Sequence, residues 1–183
     1  MERVRMELRF RTLSGKVALF SVLVAVTVIA NLIMVPMPYP LAEYDLSPVL
    51  IYTIGVLVNP PLAGVIIAVA MALGVGYKMV VFGFPPVFVI GAMVVRGVEA
   101  SLISFIVRLK APTDAKTVSK WEVVAMVVGA VWETVGFFLA DWYLFGLGFA
   151  MTVLLTIVDA VFIPVAVGVI AAVRQRLSMQ RLI

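Results

Sequence analysis

Val87-Phe-Val-Ile-Gly-Ala-Met-Val-Val-Arg96-Gly-Val-Glu99-Ala-Ser-Leu-Ile-Ser-Phe-Ile-Val107, running on into Arg108-Leu-Lys110, is the stretch that sets the class of fold. It is apolar over about 20 residues, the length at which an α-helix crosses the roughly 30 Å hydrocarbon core of a bilayer. Two ionisable residues interrupt it, Arg96 and Glu99, three positions apart and therefore on one helical face. Neither tolerates lipid: a charge at the middle of a spanning helix costs about 2.5 to 3.5 kcal/mol on insertion scales. That face must turn toward other helices, so the rest of the chain has to supply them.

Composition agrees. Of 183 residues, 64% are hydrophobic and 13% charged, and mean hydropathy is +1.18, whereas soluble domains run at about 45 to 50% apolar and about 25% charged. The chain reads as an integral membrane protein in one domain, 1–183, with room for at most about six or seven spans and none for a separate soluble catalytic domain. Zero Cys and zero His remove thiolate nucleophiles, imidazole bases and the usual zinc, copper and haem ligands, so no metal or cofactor is expected. The available chemistry is that of carboxylates, Lys, Arg, hydroxyls and aromatic rings. The formal charge of +4 reads as membrane topology, with the lipid bilayer as partner and no nucleic acid.

Proline and glycine divide the remainder. Arg3, Arg5, Arg9, Arg11 and Lys16 precede a first span over 17–35, retained because more membrane-length segments follow. Pro36, Pro38 and Pro40, then Glu43, Tyr44 and Asp45, form loop one. Ser47-Pro48 reads as a cap with proline in the first turn, and the second helix, 47–58, stops at Asn59-Pro60-Pro61. At about 1.5 Å per residue it spans only about 18 Å, so it is short. A third helix over 62–80 carries the small residues Gly64, Ala68, Ala70, Ala72, Gly74 and Gly76 that suit close packing in lipid. The fourth covers 87–107, the fifth 121–140, and the sixth 149–173 after a turn at Asp141 to Gly148. Of the fourteen Lys and Arg, all but Lys78 and Arg96 fall in the N-terminus, the segment from Arg108 to Lys120, or the C-terminus. The positive-inside rule then predicts an all-α membrane protein of six transmembrane helices with both termini cytoplasmic, in the plasma membrane.

The ions that topology does not absorb define a site. Arg96, Glu99, Glu133 in the fifth helix and Asp159 in the sixth all fall within roughly 5 Å of the midplane at about 1.5 Å per residue. Three carboxylates against one guanidinium leave negative charge in excess. Either a protonated carboxyl completes a structural network that ties helices together, or a ligand with a positive or hydrogen-bond-donating group does so. Trp132 adjoins Glu133, with Gly129 and Gly136 a turn to either side, and its ring is placed to stack on a flat ligand. Lys78 and Asp141 stand at the outer ends of the third and fifth helices. Tyr39, Glu43, Tyr44 and Asp45 of loop one are placed to close over a pocket open to the outside. Ser14, Ala18, Ser21 and Ala25 form a small-residue strip on the first helix that lets another helix approach.

The stretch Leu46-Ser-Pro-Val-Leu-Ile-Tyr-Thr-Ile-Gly-Val-Leu-Val-Asn-Pro-Pro-Leu-Ala-Gly-Val65, in a six-helix layout with a basic N-terminus, resembles the substrate-binding S component of an energy-coupling factor (ECF) transporter. In that family a short second helix leads into a turn that Gly55, Leu57, Pro60 or Pro61 and Gly64 approximate. The resemblance implies a vitamin-binding subunit without enzymatic activity of its own, which captures its ligand with loop one and helices four to six. It further implies a transmembrane coupling protein and two ATPase subunits as partners, with the strip at Ser14, Ala18, Ser21 and Ala25 as the coupling-protein contact. The chain has no phosphate-cradling P-loop of its own. Metal-transporting members rely on an N-terminal histidine, and this chain has none. Among vitamins the carboxylate excess favours a cationic heteroaromatic, thiamine or its pyrimidine precursor, then riboflavin. An S-component-like structural or assembly protein and a small ion-coupled carrier are the alternatives.

Overall fold

Ten of the eleven residues of one short helix are buried, and the rest of the molecule is built around it. The computed structural model describes residues 13–35, 44–110 and 117–180. In chain order these form α1 (Leu13–Leu32), β1 (Met34–Val35), β2 (Tyr44–Asp45), α2 (Ser47–Leu57), α3 (Pro60–Phe82), α4 (Val87–Lys110), α5 (Lys120–Phe145), α6 (Leu147–Val153), a 3-10 segment (Leu154–Phe162) and α7 (Ile163–Gln180). Five helical segments are long and apolar enough to cross a membrane: Leu13–Leu32, Pro60–Phe82, Val87–Lys110, Lys120–Phe145 and the continuous Leu147–Leu177. The chain is a multi-pass membrane protein by that criterion. The sixth segment is α2, in which every residue but Leu50 is buried, so its surface is sealed by neighbours and it needs no bilayer-spanning length.

Successive segments run antiparallel. Side chains near the end of α1 and the end of α3 (Asn31, Lys78) meet Asp45 just before α2. Ser101 and Ser104, late in α4, reach the α2–α3 connection. Arg174, late in α7, meets Glu122 at the start of α5. The start of α1 and the end of α7 consequently lie at the same end of the bundle, opposite the end that bears β1 and β2. Those two strands pair over two residues only, Met34 with Asp45 and Val35 with Tyr44.

The boundaries follow local chemistry. Asn59 accepts a hydrogen bond from Leu62 N at 3.1 Å, and Pro60 and Pro61 fill the first turn where no amide is needed. The third helix therefore starts two residues before the expected 62. It ends at Gly83, whose φ of 73° admits the left-handed cap. Ser119 and Glu122 form a reciprocal capping box at the start of α5. That helix does not stop at Ala140: Asp141 to Phe145 contain neither Gly nor Pro, so it continues, and the expected turn over Asp141 to Gly148 shrinks to Gly146, with φ 85°. The start of α2 also differs from the expected cap. Ser47 is the first helical residue, and the carboxylate of Asp45 takes its amide at 2.7 Å. A charge two residues upstream is a stronger acceptor than the hydroxyl it displaces.

The sixth span is interrupted. Nine residues, Leu154–Phe162, are 3-10 helix, well beyond the usual run of about 3 to 4 residues. Pro164 contributes to this: lacking an N–H, it leaves the carbonyl of Ala160 to the amide of Ile163, a 3-10 bond.

The α2–α3 break leaves carbonyls at membrane depth, and α4 satisfies them: Ser104 Oγ donates to Val58 O at 2.6 Å and Ser101 Oγ to Pro60 O at 3.0 Å. This requires α3 and α4 nearly in contact. A Cβ on Gly64 would stand 3.0 Å from the Gly97 carbonyl and closer still to Ser101 Oγ, whereas one on Gly76 would meet nothing within 4 Å. Gly64→Val is expected to lower stability in detergent by about 2 kcal/mol or more, and Gly76→Ala to leave it unchanged or raise it by up to about 1 kcal/mol. Thermal unfolding of the two variants side by side measures this.

Candidate functional site

Arg96 leaves α4 near its middle, only 8% exposed, and five other elements converge on it. Its Nε donates to Glu133 Oε1 of α5 at 2.7 Å. Its Nη1 donates to Ser47 Oγ of α2 at 2.6 Å and lies 3.4 Å from Asp45 Oδ2 and 3.6 Å from Met71 Sδ of α3. Its Nη2 is 3.9 Å from Asp159 Oδ2 in the 3-10 segment. The Phe137 ring lies 5.9 Å from the guanidinium carbon, close enough for a cation–π contribution.

Asp45 is the second hub. Its Oδ1 accepts from the Ser47 amide and from Ser47 Oγ. Its Oδ2 accepts from Asn31 Nδ2 at 2.7 Å and faces Lys78 Nζ at 3.5 Å. Ser47 thus relays Arg96 to Asp45, accepting from one and donating to the other. Gly74 makes room for Asn31, since a Cβ there would stand 3.0 Å from Asn31 Cγ. Beside this hub Tyr44 ties β2 to the 3-10 segment, its hydroxyl donating to Leu155 O at 2.5 Å. Burial, and then the Asp159 carboxylate, raise the Tyr44 phenol above its ordinary range, so it keeps the proton it donates.

Glu99 is different. It is fully buried, and neither carboxylate oxygen has a hydrogen-bond partner among the described residues. Glu133 Oε2, Asp159 Oδ1, Asn31 Oδ1 and the Tyr52 hydroxyl likewise meet no donor or acceptor of the opposite kind, while the Glu133 and Asp159 carboxyls lie within hydrogen-bond reach of each other, where one shared proton would serve both. The Glu99 side chain lies against Gly129, whose added Cβ would be 3.3 Å from Glu99 Cγ. The carboxylate stands within electrostatic reach of Glu133, Arg96 and Asp159. Among the described residues no three carboxylates draw together closely enough to hold a metal ion.

The structure therefore brings together Arg96, Glu133, Asp159, Asp45 and Lys78, with Glu99 adjoining. Trp132 is turned away: it is 37% exposed on the outer surface, and its Nε1 donates to Val95 O at 3.1 Å, so it braces α4 instead of facing the interior. Asp141 is buried in α5 two turns beyond Glu133 and outside this cluster. Tyr39 and Glu43 lie outside the described residues, as do Arg3, Arg5, Arg9, Arg11, Lys116 and Arg181. Ser14, Ala18, Ser21 and Ala25 all lie on exposed positions of α1.

Four participants escaped the sequence reading: Asn31, Ser47 as a relay, Met71 and Tyr52. Asn31 carried a signal, as a lone amide in an apolar run. Arg174, counted among the residues that orient the chain, is also buried and pairs through Nη1 and Nη2 with Glu122, with a third bond from Nη1 to Thr117 O at 3.3 Å. This clasp holds α7 to the start of α5 away from the Arg96 cluster. No family model matches the chain, and comparison with curated proteins and with solved structures finds no match.

Removing Arg96 strands the Glu133 and Asp159 carboxylates, while Asp45 keeps Asn31, Ser47 and Lys78. Arg96→Met is expected to cost about 3 to 5 kcal/mol, because a buried charge left without its partner is expensive. Adding Glu133→Gln should restore part of that loss, so the double variant melts above Arg96→Met alone. A thermal double-mutant cycle in detergent reads the coupling.

Proposed function

We propose that this chain is the substrate-binding membrane subunit of an ECF-type importer in the plasma membrane, with both termini cytoplasmic. It captures a vitamin or related organic micronutrient from the loop-one side. The observation that supports this reading is the buried polar cluster itself. Acceptors with no donor, at full burial, in the middle of a helix bundle, are costly unless something fills them. The layout resembles the S-component family in its short second helix and in polar residues gathered from helices four to six. In this reading the chain binds and releases, while a coupling protein and two ATPases supply the energy. Thiamine or its pyrimidine precursor suits the negative excess best, with riboflavin next.

A second reading has its own observation. The sixth span is broken by a 3-10 segment that carries Asp159, and interrupted helices bearing ionisable groups are typical of ion-coupled carriers. Transport separates the two. Coexpressed with an energising module in cells lacking thiamine synthesis and uptake, the chain should restore growth on low thiamine. That rescue should vanish when the ATPases are disabled. Accumulation over many turnovers in liposomes holding this chain alone would instead establish the carrier.

A further inference from the structure

Arg96 is the conspicuous residue of the cluster, yet its three nitrogens already face partners on α2, α5, loop one and the 3-10 segment. Asp45 is likewise engaged on both oxygens. These groups form a largely saturated layer next to loop one. The unfilled groups lie deeper. Tyr52 is five residues past Ser47, about 7.5 Å further along α2, and Glu99 is three residues past Arg96, about 4.5 Å further along α4, both directed away from loop one. Tyr52 and Glu99 are each fully buried, and the Tyr52 hydroxyl lies within electrostatic reach of Glu99, Glu133 and Asp159.

We infer that the ligand's seat is this deeper layer, Glu99 with Tyr52, Glu133 Oε2 and Asp159 Oδ1, and that it takes an organic cation presenting N–H donors, such as an amidinium or aminopyrimidinium edge. The inference rests on the binding reading above and narrows it. Every unfilled atom of the layer is a carboxylate oxygen except the Tyr52 hydroxyl, so the layer asks for donors and repels anions. Four carboxyl groups, Asp45, Glu99, Glu133 and Asp159, share the cluster with two basic side chains, Lys78 and Arg96, so a cationic donor suits it better than an anion. The carboxylates do not gather into a metal-sized group among the described residues, which suits an extended donor edge over a bare ion. Arg96 is then a positioning residue: it aims Glu133 at the seat and, with Asp45 and Ser47, forms the paired layer above it.

The test measures binding to the full chain in detergent by calorimetry and thermal shift. The probes are thiamine and acetamidinium, with riboflavin and pantothenate as neutral and anionic comparisons. Wild type should be stabilised by thiamine and by acetamidinium and not by pantothenate. Glu99→Gln should weaken thiamine about a hundredfold and Tyr52→Phe about tenfold, the losses expected for a charge-assisted and a neutral hydrogen bond. Both variants keep the shape of the site, and Glu99→Gln should melt no lower than wild type because it removes an unpaired carboxylate. If both variants bind thiamine as tightly as wild type, the seat lies elsewhere and this inference fails while the uptake reading stands. If acetamidinium stabilises wild type but not Glu99→Gln and no vitamin binds, the seat stands and the vitamin reading fails. Stabilisation of wild type by pantothenate alone, or by no probe, overturns the seat.

Discussion

A guanidinium at the centre of a membrane-embedded bundle has to be surrounded, and the architecture follows from that requirement. Arg96 draws Glu133 from α5, Asp159 from the sixth span, and Ser47 and Asp45 from the start of α2. A short second helix supplies the last two because its first turn, unlike that of a full-length span, starts where the arginine can reach it. The close approach of α3 to α4 at Gly64 and Gly97 lets serines cap the broken end of α2, so a buried helix of eleven residues is tolerated. Such a centre must also balance its charges, and among the described residues four carboxyl groups meet two basic side chains there.

Much of this was legible in the sequence. Six apolar segments stood out because proline and glycine punctuate them, and the midplane ions stood out because hydropathy isolates them. Depth could be counted at 1.5 Å per residue, which is why Arg96, Glu133 and Asp159 were grouped before any contact was known. Side-chain direction was harder to read. At 100° per residue Gly129, Glu133 and Gly136 centre on one face of α5, and Trp132 falls about 60° to its flank. That angle turns it outward to the Val95 carbonyl. Hydrogen-bond relays such as Ser47 depend on atoms that spacing does not specify. The 3-10 segment depends on backbone geometry that hydropathy does not register. The pairing of Arg174 is equally invisible in spacing, because a basic residue near a helix end looks like a topology signal whether or not a carboxylate waits behind it.

The site has two layers of different character. The layer next to loop one is crowded with paired charges and strapped by Tyr44, and the layer below it holds acceptors without donors. A purely structural network would have little reason for the second, since buried unpaired carboxylates oppose folding. The Glu122–Arg174 clasp shows what a finished buried pair looks like in the same chain: both terminal guanidinium nitrogens used, a capping amide added, and no oxygen of Glu122 left over. One cluster is saturated within the chain, and the other keeps buried oxygens without a donor.

The most direct measurement is a native mass spectrum of the full chain, released from detergent after gentle purification and after incubation with a mixture of vitamins. The account predicts one adduct per chain with the mass of a small organic cation, present in wild type and lost in Glu99→Gln. A bare mass under every condition, or an adduct that is anionic or indifferent to Glu99, would contradict it.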